Sequence, residues 1–187
     1  MRPAQLLAAT LAAAAAATPA SATHWRIDRA KSRLDFTVQW NGEPLTAVFK
    51  RWTADIDFDP DDLAHSHAAI AIDLASETSD SPENDDGIQG AQGFQVSQFP
   101  TARFETTGFS HRGGSVYTAD GKLTIKGVTK PVKLTFRLLA SGDTARVTGG
   151  AELSRLDFGL GLGEWASEKV VAHKVIVHMD LQARKSR

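Results

Sequence analysis

The chain contains no cysteine. That absence excludes disulfides, thiolate metal sites, covalent haem attachment and cysteine nucleophiles together. An excess of positive charge is missing too: 21 Lys and Arg stand against 22 Asp and Glu, a formal net charge of −1. The basic footprint that nucleic acid or an anionic membrane surface would need is therefore absent, and no nucleic-acid partner is expected. Neither a Gly-x-Ser-x-Gly elbow nor a His-Glu-x-x-His pair occurs, so no hydrolase or zinc-protease site is signalled by motif. The one sustained apolar run, Leu6 to Ala17, is short for a membrane span.

That run has the features of a secretory leader. Arg2 gives a short positive start, and Ala20-Ser21-Ala22 is a small-residue cleavage signature. The reading is a signal peptide over residues 1–22 and one domain over residues 23–187, exported to the periplasm in a cell with two membranes. With no cysteine at the cleavage point, a lipid anchor is not expected. A domain without disulfides must hold itself by its core, and a chain of this length can bury one.

Beyond the leader the dominant signal is alternation with period two, the mark of a strand with one buried face. It is clearest from Leu123 to Phe136, where Leu123 and Ile125 alternate with Thr124 and Lys126, and Leu134 and Phe136 with Lys133 and Thr135. Gly127 supplies the turn and Pro131 is expected at a strand entrance, so the stretch reads as a hairpin. Leu34, Phe36, Val38 and Trp40 alternate in the same way, followed by the turn dipeptide Asn41-Gly42. Trp52, Ala54, Ile56 and Phe58 share a face opposite Asp55, Asp57 and Asp59; Ile70, Ile72 and Leu74 continue the pattern. Asp120-Gly121 reads as a hairpin turn, Arg146 to Leu153 as a strand, and Val171, Val175, Val177, Met179 and Leu181 as the closing strand. Residues 79–93 break the rhythm and suggest one short helix, with Ser79 or Ser81 as N-cap and Pro82 in the first turn. Many short strands with turns between them argue for an all-β antiparallel barrel or sandwich, and closure removes exposed edges.

Three clusters invite a chemical reading and fail it. Asp55, Asp57, Asp59, Asp61 and Asp62 suggest calcium, but the EF-hand positions for Gly and Glu are Pro60 and Ser66 counted from Asp55. His65 and His67 lie two apart without a third ligand signalled by motif, so they read as surface residues and no metal is expected. Gly159-Leu-Gly161-Leu-Gly163-Glu-Trp165 lacks the Lys-Ser/Thr and the strand–helix setting of a phosphate loop. It reads as a flexible loop or bulged strand end, with Trp165 placed to lid a cavity mouth. No spacing organises an active site, and the chain reads as a non-enzyme.

In order and spacing these blocks resemble the YceI-like, polyisoprenoid-binding family of exported, lipocalin-like barrels. The resemblance rests on Trp25-Arg-Ile-Asp28, then Ser32, Leu34, Phe36, Val38 and Trp40, then Phe49, Trp52, Ile56 and Phe58-Asp-Pro60. It continues through Ser76, Thr78 and Phe99-Pro100, with the most specific block at Leu123-Thr-Ile-Lys-Gly-Val-Thr-Lys-Pro131, and ends on Arg155 and Asp157-Phe-Gly159. It implies an extended antiparallel barrel of about eight strands with one short helix or capping loop, wide enough for one slender ligand or for its own side chains. It also implies an isoprenoid lipid, a polyprenyl chain or quinone tail, as ligand rather than a cofactor. The expected wall is Phe36, Val38, Trp40, Trp52, Ile56, Phe58, Phe104, Leu123, Ile125, Leu134, Phe136, Phe158, Trp165, Val175 and Val177. Alternation gives the face and not the volume. A filled barrel acting through contact with a membrane redox protein is the other reading, and a transient membrane contact and a dimer stay open.

Overall fold

A computed structural model describes residues 22–186. The expected leader lies, apart from Ala22, outside the described residues. Eleven strands and one helix follow in order: β1 (Trp25–Ile27), β2 (Arg33–Trp40), β3 (Glu43–Phe49), β4 (Trp52–Asp57), β5 (His67–Asp73), β6 (Glu77–Thr78), α1 (Pro82–Gln89), β7 (Thr101–Gly113), β8 (Val116–Ile125), β9 (Val128–Ser141), β10 (Thr144–Ser154) and β11 (Val171–Lys185). All pair antiparallel in one sheet, ordered β4-β5-β7-β8-β9-β10-β11-β2-β3-β6, with β1 joined to β11.

The sheet curls into a barrel because β4, at one end of it, runs on directly from β3, next to last at the other. Only Lys50 and Arg51 separate β3 from β4, yet β3 pairs with β2 and β4 pairs with β5. Together they form one bent stave, and with β2, β5 and β7 to β11 the barrel has the expected eight. At one end β1 completes the seam. It pairs with β11 at Trp25↔Lys185 and bridges to β4 at His24↔Asp57.

The hairpin at the heart of the sequence pattern is β8–β9. Ile125 pairs with Val128 across a two-residue turn in which Lys126 and Gly127 both have positive φ, 50° and 75°, the twist that suits antiparallel strands. This register puts Ala119 opposite Leu134 and Tyr117 opposite Phe136, fixing one apolar face. Two local expectations need correction. Pro131 sits inside β9, opposite Lys122, rather than at its entrance. It is tolerated because β10 pairs with β9 only from Thr135 onward, so the other edge of this segment has no ladder to lose. Asp120-Gly121 is no turn either: both residues lie in mid-strand, opposite Lys133 and Val132. Gly121 is there because the Phe104 ring lies over it; a Cβ would stand 2.5 Å from Phe104 Cζ.

The staves run between two unlike ends. At one, Trp25, Phe58, Tyr117, Phe136, Ala145 and Ala183 pack together. At the other, β2 ends at Trp40 beside the start of β11, where Val171 pairs with Trp40 and the register slips before Val175 pairs with Val38. The extra residues of this bulge keep both valines turned inward. Helix α1, the turns of residues 90–99 and the loop of residues 159–170 cover this second end.

Candidate functional site: an apolar cavity along the barrel

The barrel is hollow. A cavity of about 280 Å³ runs through it, walled by side chains from the barrel staves, from β1 and α1, and from the loop carrying Trp165. All fifteen residues expected in the wall line it: Phe36, Val38 and Trp40 from β2, Trp52 and Ile56 from β4, Phe58 just beyond, Phe104 from β7, Leu123 and Ile125 from β8, Leu134 and Phe136 from β9, Val175 and Val177 from β11, and Phe158 and Trp165 from the turn and loop between β10 and β11. Sequence reasoning left out Phe49, Ile88, Phe94 and Leu160 among others. Phe49 shows the β3 alternation and was findable. Ile88 and Phe94 enter from helix and loop, where no strand period marks the inward face.

Two residues with chemistry were also passed over, one in the lining and one, Glu77, outside it. Arg155 is the one charged side chain in the cavity lining and is 6 % exposed. Its guanidinium donates to five main-chain carbonyls. Nε reaches Ala172 O at 3.1 Å, Nη1 reaches Leu160 O and Gly161 O at 2.7 and 2.9 Å, and Nη2 reaches Val171 O at 2.8 Å and Trp165 O. All five donors of the fork are thus used. Burial lowers its pKa, which Glu168 partly offsets, and it stays charged. The residue resembles a family signature, but nothing in the sequence tells that five carbonyls will converge on it.

The arrangement makes Arg155 the organiser of the mouth. It draws the loop of residues 159–170 against the start of β11 and holds the Trp165 main chain. The Trp165 ring lies edge-on to Trp40, 4.9 Å between centroids, and within reach of α1 at Gly87. Gln92 ties the same loop from the other side, its carbonyl accepting from Gly161 N at 2.7 Å and its Oε1 from Gly163 N at 3.1 Å. The glycine-rich segment expected to be a flexible loop is a loop, but one laced on both sides.

Glu77 is the second missed residue. It sits opposite Phe49 on the β3–β6 pair, is 3 % exposed, and has one carboxyl oxygen, Oε1, without a hydrogen-bond partner. Gln89 of α1 donates to its main-chain carbonyl at 3.0 Å and to Oε2 at 3.4 Å. Burial pushes its pKa up to about 7, against the pull of Gln89 and with help from Asp85.

At the opposite end the wall is closed by aromatic packing. Phe58 meets Phe109 and Tyr117 edge-to-face at 5.1 and 5.6 Å, and Trp25 Nε1 donates to Phe58 O at 2.9 Å. Strands carry these rings except Phe58, which stands one residue past the end of β4.

A family model described as the YceI-like domain matches residues 25–183. The chain belongs to the YceI-like family. Curated relatives include a UPF0312 protein of Azotobacter vinelandii, 31 % identical over 62 % of this chain and 64 % of its own length, a little under two thirds of that relative. Another is Protein YceI of Salmonella arizonae, 30 % identical over 66 % of each chain. Among solved structures, Burkholderia cenocepacia BcnA superposes with a TM-score of 0.81 at 30 % identity, over 84 % of this chain and 99 % of that one. A polyisoprenoid binding domain from Saccharophagus degradans superposes at 0.67 with 14 % identity, over 88 % and 99 % of the two chains. At that identity the likeness is one of fold. The YceI-like barrel is thus the frame in which this cavity sits.

Proposed function

We propose that the chain is an exported, non-enzymatic binding protein that carries an isoprenoid lipid, a polyprenyl chain or quinone tail, in the barrel cavity. The observation that carries this reading is the wall itself: a continuous tube of aliphatic and aromatic side chains whose single charge, Arg155, is spent on main-chain carbonyls. Such a tube asks nothing polar of its occupant along its length. It rewards apolar contact at about 25 cal/mol per Å² removed from water, before the cost of ordering the chain. Exchange proceeds at the mouth, by movement of Trp165 away from Trp40 and α1. The leader at residues 1–22 delivers the protein to the periplasm.

The test is mass spectrometry on protein taken from its own periplasm without detergent, first native and then after organic extraction. A stoichiometric isoprenoid adduct is expected. An empty protein that also refuses added long-chain quinone overturns the carrier reading and leaves an accessory module acting through contact with a membrane protein.

A further inference from the structure

We infer that the Glu77 carboxyl is the latch of the mouth. Neutral, it seats the C-terminal end of α1; ionised, it releases that end and speeds exchange of the cavity's occupant. The inference rests on the lipid reading and adds a pH dependence to it. Glu77 stands opposite Phe49 in the β3–β6 pair, so the two side chains share a face. Phe49 lines the cavity, and so does Ile88 of α1. Glu77 stands outside that lining, against Gln89, which donates to Glu77 O at 3.0 Å and to Oε2 at 3.4 Å.

The helix is fastened to this segment at two points. Asp85 accepts from Thr78 Oγ1 at 2.7 Å and from Ser79 N and Oγ at 2.6 Å. Burial raises the Asp85 pKa, but these bonds outweigh it and lower it, so this point stays fastened except in acid. Gln89 makes the other fastening, and it depends on Glu77. The strand side is the fixed one, since Lys50 N and Arg51 N donate to Ser76 O and Oγ at 3.0 and 2.9 Å beside the ladder. Glu77 Oε1 has no hydrogen-bond partner, a lack that costs a carboxylate far more than a neutral carboxyl.

No cation offsets the charge. β3 brings Val48 and Phe49 to this segment, the turn before it is Leu74 to Ser76, and residues 90–99 hold no titratable group. Asp85 adds like charge from α1, while Glu83 and Asp86 of that helix and Glu164, Glu168 and Lys169 of the Trp165 loop are exposed. Lys50 is exposed, and Arg51 pairs with Asp73 at 2.8 Å. Burial, opposed by Gln89 and aided by Asp85, accordingly pushes the Glu77 pKa up to about 7. Ionisation draws in water, and the helix end is the side that gives. That end carries Ile88 in the cavity wall and Gly87, where a Cβ would stand 3.1 Å from Cη2 of Trp165. Lifting it loosens wall and lid together.

The test is amide hydrogen exchange of the parent and Glu77→Gln between pH 5.5 and pH 8, read as protection factors so that the intrinsic effect of pH cancels. The closed form is favoured in acid and loses ground as pH rises from 4.5 to about 7. A carboxyl that returns to its ordinary value when wetted raises the opening equilibrium by about thirtyfold over the range measured. Protection at α1 should fall by that factor in the parent and stay level in Glu77→Gln. Release of a prenyl-tailed benzoquinone from loaded protein should quicken over the same range, in the parent alone. A level α1 profile in the parent, beside falling protection in β8 and β9, would show that the door opens with the carboxyl still dry, and overturns the latch. The expected α1 profile in protein that refuses the quinone upholds the latch and overturns the lipid reading. A quinone that loads but leaves the parent at one rate across the range overturns the control of exchange.

Discussion

The two ends of the barrel solve one problem, closing an apolar tube, with different materials. At the Trp25 end, side chains on paired strands, or in the case of Phe58 one residue past β4, do it: Phe58, Tyr117 and Phe136 meet edge or face, and the barrel seam runs past them. At the Trp165 end, a helix of eight residues and two loops do it, held by Arg155, Gln92 and the Lys126 ammonium, which donates to Ala91 O and Gly93 O. Ladder hydrogen bonds between long strands open only with the whole sheet, whereas laced loops open locally and at lower free energy. One end is therefore a floor and the other a door. Amide hydrogen exchange should rank them so, with residues 159–170 and α1 exchanging before β8, β9 and the end of β11.

Arg155→Leu should give the largest effect, because it strikes the element that makes the door a closed one. Five carbonyls lose a charged donor at once, and a charge-assisted hydrogen bond contributes about 1.5–3 kcal/mol before the loop relaxes and rehydrates. A loss of about 5 kcal/mol in urea unfolding is expected, with exchange quickened first and most at residues 159–172. A variant as stable as the parent would mean that the lacing is incidental. Phe58→Ala strikes the floor instead. Removing a buried ring costs about 3–5 kcal/mol, here spread over the whole cooperative unit, with exchange at the Trp165 loop unchanged. If both variants loosen the same amides, the two ends are one unit and the distinction fails.

Glu77→Gln sharpens the comparison through pH. In the folded chain the Glu77 carboxyl titrates near 7 against an ordinary 4.5, chiefly because burial penalises its charge. Below 4.5 both states hold the proton and the full stability is present. Between 4.5 and 7 the unfolded chain releases its proton first, so stability falls as pH rises; above 7 the deficit is constant at about 3 kcal/mol. Asp85 on α1 works in the opposite sense. Burial pushes its pKa up, but hydrogen bonds from Ser79 and Thr78 outweigh that and lower it, so its contribution is lost only toward acid. Urea midpoints taken between pH 5 and pH 9 should decline in the parent and stay nearly level in Glu77→Gln. Parallel curves would show that the carboxyl is already hydrated in the folded state.

The same division explains what could be read from the sequence. Strand-borne features were legible, since period two assigns each residue of a stave to one face: Phe36, Val38, Leu123, Leu134 and Val177 follow from alternation alone. Where chain geometry departs from that period, reading fails. Asp120-Gly121 carries the composition of a turn but serves the Phe104 ring, a tertiary demand that no local window contains. Pro131 is admitted by the absence of a neighbouring ladder, which is a fact of sheet topology. Arg155 and Glu77, the two buried charges of the door, answer to carbonyls and to a glutamine brought in from other segments, at separations no motif records.

Gly87→Ala should have the smallest effect on stability and the most telling one on the door. An alanine gains about 1 kcal/mol of helix propensity over glycine in mid-helix. Here, however, the added Cβ would lie 3.1 Å from Cη2 and Cζ2 of Trp165, closer than a comfortable contact. The ring must shift by a few tenths of an ångström, and its edge-on packing against Trp40, 4.9 Å between centroids, shifts with it. The gain and the strain nearly offset, so unfolding should move by less than about 1 kcal/mol. The near-ultraviolet circular dichroism of the Trp40–Trp165 pair should change visibly, and exchange of a bound long-chain quinone should quicken. A changed spectrum with unchanged exchange would show that Trp165 packs the mouth without gating it. A faster exchange would locate the rate-setting contact at the meeting of one ring, one helix and one missing methyl group.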